Sequence, residues 1–343
     1  MTVGETLRAG SLCTGYGGLD MAVEAVLGTE FAWVADNAPV PAQILAHRYP
    51  DVPNLGDITQ ADWATAPAVN VICTGFPCKD VSTAGWRAGL RAGTRSGVWA
   101  HCARAIAVLR PSLVVIENVK GLRSAGADSN VEWCPWCMGE AGPEHLVRAL
   151  GAVLGDLAGL GYDTQWVSVR ADDAGAPHER ERVFILGQTA ADPLGDLVQR
   201  PGVPGVLGGT KQAAAGVLVE REAPERQRQR DGHATADRDQ ATAEGVSAGF
   251  GWREYAPPLR RWEAILGRPA PWPVEPGSDD LVNPQFVEWM MGLPAGWVTD
   301  VPGLSREQKL RALGEGVVPQ QAELALRLLM AESASAVLRE VPA

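Results

Sequence analysis

The stretch "GSLCTGYGGLDMAVEAVLG", residues 10–28, changes along its length from the pattern of a β-strand to that of an α-helix. From Leu19 onward the apolar residues recur at helical spacing, and Gly15, Gly17 and Gly18 stand between the two patterns. Glycine at such a junction lets the backbone approach a ligand closely, and the N-terminus of a helix favours an anionic group. The stretch therefore predicts a strand, a ligand-binding turn and a helix; the alternative is a tight turn that binds nothing.

The alternation of strand and helix patterns continues to about residue 190. Short β-branched runs predict strands at 10–15, 31–36, 70–75, 113–118, 164–169 and 182–187. Helical periodicity occurs at 19–27, 99–109 and 146–157. Strands buried on both faces and separated by helices predict an α/β fold with a doubly wound, mostly parallel sheet. Ligands bind such sheets beyond the carboxyl ends of the strands, where the sequence places Gly15, Asp36, Cys78 and Glu117.

Three regions can be distinguished along the chain. Residues 1–190 carry the strand and helix patterns, whereas residues 191–280 include the polar run "ERQRQRDGHATADRDQATAEG" (225–245), which predicts a long or partly flexible segment. In residues 281–343, Pro319 suits the first turn of a helix. An apolar stripe on that helix is formed by Val318, Ala322, Ala325 and Leu329. We expect the stripe to pack on the first region, so that the middle region is an insertion.

Composition sets broad limits on function. The chain has 343 residues, of which 46% are hydrophobic, enough for a large core and more than one domain. Its formal charge of −11 weighs against nucleic-acid binding, although a binding cleft needs only a locally basic surface. Irregularly spaced cysteines without a signal peptide predict reduced thiols in the cytoplasm. No apolar run approaches the roughly 20 residues that a membrane span needs.

Cys134 and Cys137 have the CxxC spacing of some zinc sites, and His145 is the nearest further ligand. A zinc site needs about four ligands. We therefore expect a loop turn without a bound metal, with zinc as the alternative.

Cys78 follows an apolar strand in the sequence "GFPCKD", residues 75–80. A thiol ionises more readily beside cations, and Lys79 is adjacent. Further cations follow in a glycine-rich segment at Arg87, Arg91 and Arg95. A buried structural role suits Cys13, Cys73 and Cys102 better than Cys78, because those three lie within apolar patterns. Cys78 is therefore a candidate nucleophile.

Glu117 and two arginines add groups suited to the same chemistry. Glu117 ends an apolar strand, where desolvation would raise its pKa and let it carry a proton. Arg180 and Arg182 alternate outward just before another buried strand. A thiolate, a proton-carrying acid and two arginines predict a site for attack on an electron-poor ring, a chemistry that several classes of enzyme share.

Five motifs, in this order, resemble those of the cytosine-5 DNA methyltransferases over nearly the whole chain. "CTGYGG" (13–18) is similar to the cofactor glycine motif of that family, "GFPC" (75–78) to its nucleophile motif and "ENV" (117–119) to its acid motif. "HERER" (178–182) resembles its Gln-x-Arg-x-Arg motif, and "GEGVV" (314–318) resembles its closing cofactor motif. The resemblance implies S-adenosylmethionine as cofactor and a flipped cytosine in double-stranded DNA as substrate. It also implies target recognition by the middle region, in a monomer of the bacterial or phage-infected cytoplasm.

The resemblance implies a role for each matching residue. Cys78 would attack carbon 6 of cytosine and Glu117 would hydrogen-bond ring nitrogen 3, while Arg180 and Arg182 would hold the base or its phosphates. The implied cofactor-binding residues are Cys13, Thr14, Gly15, Tyr16, Gly17, Gly18, Asp36, Asn37, Asp57, Ile58, Pro77, Glu315 and Val317. Among these, the carboxylate of Asp36 would accept hydrogen bonds from ribose hydroxyls and that of Asp57 from an adenine amino group.

Three positions depart from the family pattern. Lys79 and His178 each stand where glutamine is usual, and Glu315 replaces the usual asparagine. Glu315 would put a carboxylate near the expected cofactor site, where it could weaken binding. Two other functions stay open: a catalytically silent DNA-binding relative, and the same chemistry on RNA. The intact Cys78 and Glu117 argue against the silent relative.

Overall fold

The computed structural model of the protein describes residues 6–76, 97–123, 149–189, 252, 255–278 and 280–340. Six strands within these ranges form one sheet. They are β1 (Leu7–Leu12), β2 (Thr29–Ala35), β3 (Val71–Thr74), β4 (Leu113–Val119), β5 (Tyr162–Arg170) and β6 (Glu181–Thr189). Each corresponds to one of the six strands that the sequence predicts.

The strands lie in the order β2-β1-β3-β4-β6-β5. The pairs β1–β2, β1–β3 and β3–β4 are parallel, whereas β6 runs antiparallel to both β4 and β5. The order reverses beside β1, so that the carboxyl ends of β1, β3 and β4 meet at one edge. The predicted α/β fold with a mostly parallel, doubly wound sheet is confirmed.

β1 starts and ends earlier than the predicted segment 10–15. It ends before Cys13 because Cys13 has a φ of 53°, a left-handed conformation that a strand does not contain. Within the strand, Gly10 leaves room for a neighbouring side chain, since a Cβ atom there would lie 2.2 Å from the ring of Trp33. The pairing register with β2 shifts between Ala9 and Gly10, at this contact.

Eight α-helices occur within the described ranges. They are α1 (Gly18–Leu27), α2 (Pro39–Arg48), α3 (Val98–Leu109), α4 (Ala149–Gly159), α5 (Ala256–Leu266), α6 (Pro284–Met290), α7 (Arg306–Glu315) and α8 (Pro319–Glu340). The sequence pattern does not predict α2, because Ile44 and Leu45 are its only buried residues and they form no periodic stripe.

Helices cover both faces of the sheet. On one face, Leu19 and Val23 of α1 lie in a buried cluster with Val71 and Cys73 of β3. On the other face, α3 and α4 pack against Ile72 of β3 in a second cluster. Successive residues of β3 therefore point to opposite faces and both faces are buried, which explains the apolar sequence Val71–Cys73.

The C-terminal helix α8 packs on the first region, as its apolar stripe predicts. It begins at Pro319, whose missing N–H has no cost in the first turn. Ala322, Ala325 and Leu329 are fully buried in the cluster that contains α1. Val318 instead belongs to a third cluster, around Trp262. Helix α8 thus shares a buried cluster with α1.

Part of the predicted insertion also packs on this body. Leu259 and Trp262 of α5 lie in the third cluster together with Tyr16 of the glycine turn. The polar run 225–245 lies outside the described residues. Within the described ranges, every helix is too short or too polar to cross a bilayer.

Tyr16 is packed between the glycine turn and the segment that precedes α8. Its hydroxyl donates a hydrogen bond of 2.6 Å to the carbonyl oxygen of Val317. Two glycines make the close approach possible: a Cβ atom on Gly316 would lie 1.8 Å from the Tyr16 ring, and one on Gly18 would lie 2.3 Å from the Val317 oxygen. We call this contact between the two chain segments the tyrosine seam.

Replacing Gly316 with alanine should therefore destabilise the protein, by about 1–3 kcal/mol, the usual cost of overpacking a core. Gly314 is a matched control, since Arg180 donates to the carbonyl oxygens of both glycines and a Cβ atom on Gly314 meets nothing within 4 Å. Gly314→Ala should be neutral or stabilising because alanine suits a helix. Urea unfolding of both variants measures the difference, and equal stabilities would contradict the tight seam.

Candidate active site

A cavity with about 380 Å³ of empty volume opens at the carboxyl ends of β1, β3 and β4. Its walls come from the glycine turn, the ends of β3 and β4, and the segment before α8. The lining residues are Ser11, Leu12, Cys13, Thr14, Gly15, Tyr16, Gly18, Leu19, Asp20, Gly75, Glu117, Glu315, Gly316 and Val317. The structure thus brings together eight of the residues that the sequence predicts for the site.

The glycine turn leaves β1 with left-handed backbone conformations. Gly15 and Gly17 have φ values of 61° and 87°, which glycine adopts without strain. The side of Gly15 that a Cβ atom would occupy is open, with no atom within 4 Å. The turn therefore presents exposed backbone toward the cavity.

Asp36 fixes the start of this turn. Its carboxylate accepts one hydrogen bond from the Gly15 amide and another from the Ala38 amide, each 2.9 Å long. Burial raises the pKa of Asp36, and these two hydrogen bonds oppose the change because they favour the charged form. Asp36 does not line the cavity itself but holds the turn that does.

Asn37, Asp57 and Ile58 lie farther from the cavity lining. The Asp57 carboxylate accepts a hydrogen bond of 2.9 Å from the Thr59 amide, and hydrogen bonds from Thr59 lower its pKa. Asn37 also hydrogen-bonds Asp57, so the two predicted residues are neighbours. Ile58 is buried and packs in the core on the α3 side of the sheet.

Glu117 forms a buried ion pair at the end of β4. Its carboxylate lies 2.8 Å from the Nε atom of Arg182, and the two side chains are only 9% and 14% exposed. Burial raises the pKa of Glu117, while Arg182 and Arg180 oppose that change. Gly75 leaves room for the carboxylate, since a Cβ atom there would lie 3.3 Å from it. Glu117 is thus an acid that holds a proton more readily than a surface glutamate.

Phe76, in the predicted nucleophile motif, is held in place next to Glu117. Asn118 donates a hydrogen bond of 2.8 Å to the Phe76 carbonyl oxygen, and the Phe76 ring packs 5.1 Å from that of Trp99. The Trp99 indole donates to Asp156 at 2.7 Å. The sequence predicts no role for Asn118, although it stands within the "ENV" motif. Pro77, Cys78 and Lys79 lie outside the described residues.

Arg180 contacts the chain's own backbone. Its guanidinium donates to the carbonyl oxygens of Gly314 and Gly316, at 2.7 and 2.5 Å. Nearby, the Nε2 atom of His178 lies 3.1 Å from the carbonyl oxygen of Met290. Burial lowers the pKa of His178, which favours the neutral ring, and the carbonyl acceptor favours the tautomer that carries its proton on Nε2. Both side chains tie the arginine motif to the C-terminal region.

Glu315 turns its carboxylate away from the protein. The side chain is 70% exposed and pairs with Arg311 one helical turn earlier, at 3.2 Å. Such an exposed pair contributes little to stability. Glu315 is among the residues that line the cavity, while its side chain is mostly in solvent.

Asp20 is a buried acid for which the sequence predicts no role. It lines the cavity and is 2% exposed, and the Cys73 thiol lies 3.8 Å from its carboxylate. Burial raises its pKa from the ordinary 3.8 to about 6, against hydrogen bonds from Ser11 and Cys73. Cys73 and Cys102 are buried, as predicted, whereas Cys13 is half-buried and lines the cavity.

Several predicted features fall outside the described residues. They are the cations Arg87, Arg91 and Arg95, the possible metal ligands Cys134, Cys137 and His145, and the arginines of the polar run. In the part of the chain that the structure describes, no three His, Cys, Asp or Glu side chains are arranged to hold a metal ion.

Comparison with known proteins adds to this geometry. The family profile described as C-5 cytosine-specific DNA methylase matches residues 7–199, more than half of the chain. The type II methyltransferase M.NgoBV of Neisseria gonorrhoeae is 27% identical over 164 residues, which are 48% of this chain and 36% of the relative. M.NlaIV of Neisseria lactamica is 29% identical over 155 residues, 45% of this chain and 34% of the relative. The chain thus spans about a third of the length of these relatives.

A structural neighbour shows the same fold. A mutant of DNMT2 from Spodoptera frugiperda superimposes with a TM-score of 0.54 at 14% identity, covering 94% of this chain and 99% of the neighbour. At this identity the likeness concerns the fold alone, and it extends over nearly the whole length of both chains.

The raised pKa of Asp20 predicts a specific pH dependence of stability. Ionisation in the folded state is unfavourable, so Asp20 stabilises the fold fully below the unfolded pKa and this contribution is lost as the pH rises through about 6. The unfolding free energy of the wild type, minus that of Asp20→Asn, should fall by about 3 kcal/mol over this range. Urea unfolding of both proteins from acidic to neutral pH measures it; parallel stability curves would show that Asp20 ionises normally.

Proposed function

The chain belongs to the C-5 cytosine-specific DNA methylase family, and we propose that it methylates carbon 5 of cytosine in double-stranded DNA. In this proposal S-adenosylmethionine is the cofactor, Cys78 is the nucleophile, and the cytosine is flipped out of the duplex. Flipping costs a few kcal/mol but is needed because the reacting atoms are unreachable inside the stacked helix.

The buried pair of Glu117 and Arg182 is the observation that carries this proposal. A carboxylic acid at a cavity wall, with a raised pKa and a fixed arginine, suits hydrogen bonding to a ring nitrogen that gains negative charge. Phe76 is fixed beside it by Asn118, and Cys78 follows two residues later in the chain. Glu117 thus ends one strand of the sheet, and Cys78 follows the neighbouring strand in the sequence.

The lining of the cavity suits S-adenosylmethionine in chemistry. The glycine turn offers open backbone at Gly15. The amides of Gly18 and Leu19 at the start of α1 would hold the carboxylate of the cofactor, since the first N–H groups of a helix have no carbonyl partner within it. Asp36 would accept from the ribose hydroxyls through its remaining lone pairs, and Asp57 from the adenine amino group.

The cofactor supplies an electrophilic methyl group. The protein's own part begins when the Cys78 thiolate forms a bond to carbon 6 of cytosine. Glu117 donates a hydrogen bond to ring nitrogen 3, which stabilises the displaced electron pair and makes carbon 5 an enamine-like nucleophile. After carbon 5 is methylated, its proton passes to water; the electron pair left behind restores the double bond between carbons 5 and 6, and the bond from carbon 6 to the Cys78 sulfur breaks. Each of these steps has a lower barrier than direct attack by carbon 5 of an aromatic ring.

Arg182 would keep Glu117 oriented toward the base, and Arg180 would anchor the segment before α8, where it already donates to two carbonyl groups. Contact of either arginine with the base or its phosphates is part of the same proposal. Residues 191–280 would carry target recognition between a catalytic region (1–190) and a return segment (281–343). We place the reaction in the cytoplasm and expect a monomer to perform it.

DNA that carries 5-fluorocytosine tests the mechanism. Carbon 5 then bears fluorine in place of hydrogen, so no proton can be lost and Cys78 is not released. With S-adenosylmethionine present, a pool of random duplexes containing it should form a protein–DNA adduct that survives denaturing electrophoresis. Cys78→Ser should form none, since a serine hydroxyl is scarcely ionised at neutral pH. Glu117→Gln should form it about a hundredfold more slowly.

Cys137→Ser is the matched control for the cysteine substitution and should form the adduct like the wild type. An adduct that persists in Cys78→Ser would mean that another residue is the nucleophile. A wild-type protein that binds cofactor and DNA without forming an adduct would favour a silent DNA-binding protein, and an adduct on RNA alone would change the substrate.

Calorimetry with S-adenosylmethionine tests the cofactor site separately. Glu315→Asn should leave affinity unchanged or raise it slightly, because the carboxylate points into solvent toward Arg311. Asp36→Asn should weaken binding about tenfold, equivalent to about 1.4 kcal/mol. A clearly weaker Glu315→Asn protein would show that this carboxylate contributes to binding.

A further inference from the structure

Trp297 joins the loop that follows α6 to the glycine turn. Its indole nitrogen donates a hydrogen bond of 2.8 Å to the carbonyl oxygen of Tyr16. A peptide group is planar, so a fixed Tyr16 carbonyl also fixes the direction of the Gly17 N–H. That N–H donates to the Thr14 carbonyl oxygen at 3.0 Å, inside the turn. Trp297 therefore restrains the middle of the turn from behind the cavity lining.

Arg48, at the end of α2, holds Trp297 in place. Its Nε atom donates to the Trp297 carbonyl oxygen at 2.7 Å, and its Nη2 atom donates to that of Gly296. The guanidinium carbon also lies 5.2 Å from the centroid of the Trp297 ring, within the range of a cation–π contact. Arg48 thus holds Trp297 both by a hydrogen bond to its backbone and by a contact with its ring.

Tyr49 also contacts Trp297. Its ring meets the Trp297 ring edge-on, with centroids 5.8 Å apart. A Cβ atom on Gly17 would lie 3.2 Å from the Tyr49 ring, so the turn and this aromatic pair are in close contact. The end of α2, the loop after α6 and the glycine turn therefore form one packed unit.

Glu288 makes the loop around Trp297 rigid. The side chain is 1% exposed, and its carboxylate accepts hydrogen bonds from the amides of Gly296, Val298 and Thr299 and from the Thr299 hydroxyl. These four bonds, of 2.5 to 2.9 Å, satisfy a charge that would otherwise be costly to bury. A loop held in this way can keep the indole at a fixed position.

We propose that Trp297, clamped by Arg48 and the Glu288 loop, is a positioning residue that holds the glycine turn in the shape that receives the cofactor. Gly15 and Gly17 give the turn many accessible conformations, and each conformation that cannot bind lowers the apparent affinity. A restraint supplied from outside the turn removes those conformations before binding. The inference rests on the proposed function, because the ligand is S-adenosylmethionine.

Trp297→Phe tests it by removing the indole N–H while keeping an aromatic ring. Trp262 offers a matched control: its indole also donates to a backbone carbonyl, that of Trp289 at 2.9 Å, in the same core cluster as Tyr16. Both substitutions lose one hydrogen bond of the same kind and should lower the unfolding temperature similarly. By calorimetry, Trp297→Phe should bind S-adenosylmethionine about tenfold more weakly, and Trp262→Phe should bind like the wild type.

Arg48→Met provides a second variant, which keeps an apolar stem but loses the clamp, and it should weaken cofactor binding in the same direction. Wild-type affinity in Trp297→Phe, or equal weakening in Trp262→Phe, would overturn the inference while leaving the proposed function intact. A wild-type protein that binds no S-adenosylmethionine would instead overturn the proposed cofactor, and this inference with it.

Discussion

The hydrogen bond from the Tyr16 hydroxyl to the Val317 carbonyl joins segments that are 301 residues apart in the chain. Tyr16 is 1% exposed, so its hydroxyl has no access to water and must find a partner within the protein. Two glycines, Gly18 and Gly316, let the backbones approach closely enough to supply one. The cavity lies against this seam, and its shape therefore depends on residues from both ends of the chain.

Electrostatics at the cavity depend on a second pairing, that of Glu117 with Arg182. A carboxylate with so little exposure would be neutral without a nearby cation, and an unpaired buried arginine would be equally costly. Each side chain lowers the free-energy cost of burying the charge of the other. Desolvation nevertheless keeps the pKa of Glu117 above the ordinary value. The proposed chemistry needs this balance, since Glu117 must stay in place yet share a proton with the base.

The sequence predicts the sheet well because its central strands are buried on both faces, which leaves apolar runs such as Val71–Cys73. It also predicts that Gly15 and Glu117 lie close together, because parallel strands bring their carboxyl ends to one edge. It does not predict Trp297, Asn118 or Asp20, whose contacts join distant segments through hydrogen bonds to backbone or buried groups. Nothing in local spacing distinguishes such a residue from one that only fills the core.

Bisulfite sequencing of DNA from cells that express the protein tests the central proposal most directly, since it detects methylated cytosine whatever the target sequence is. Cells that express Cys78→Ser at the same level supply the comparison. The proposed chemistry predicts new 5-methylcytosine at a recurring short sequence with the wild type and none with Cys78→Ser. Unchanged DNA in both cultures, or the same methylation in both, would contradict cytosine-5 methylation by Cys78.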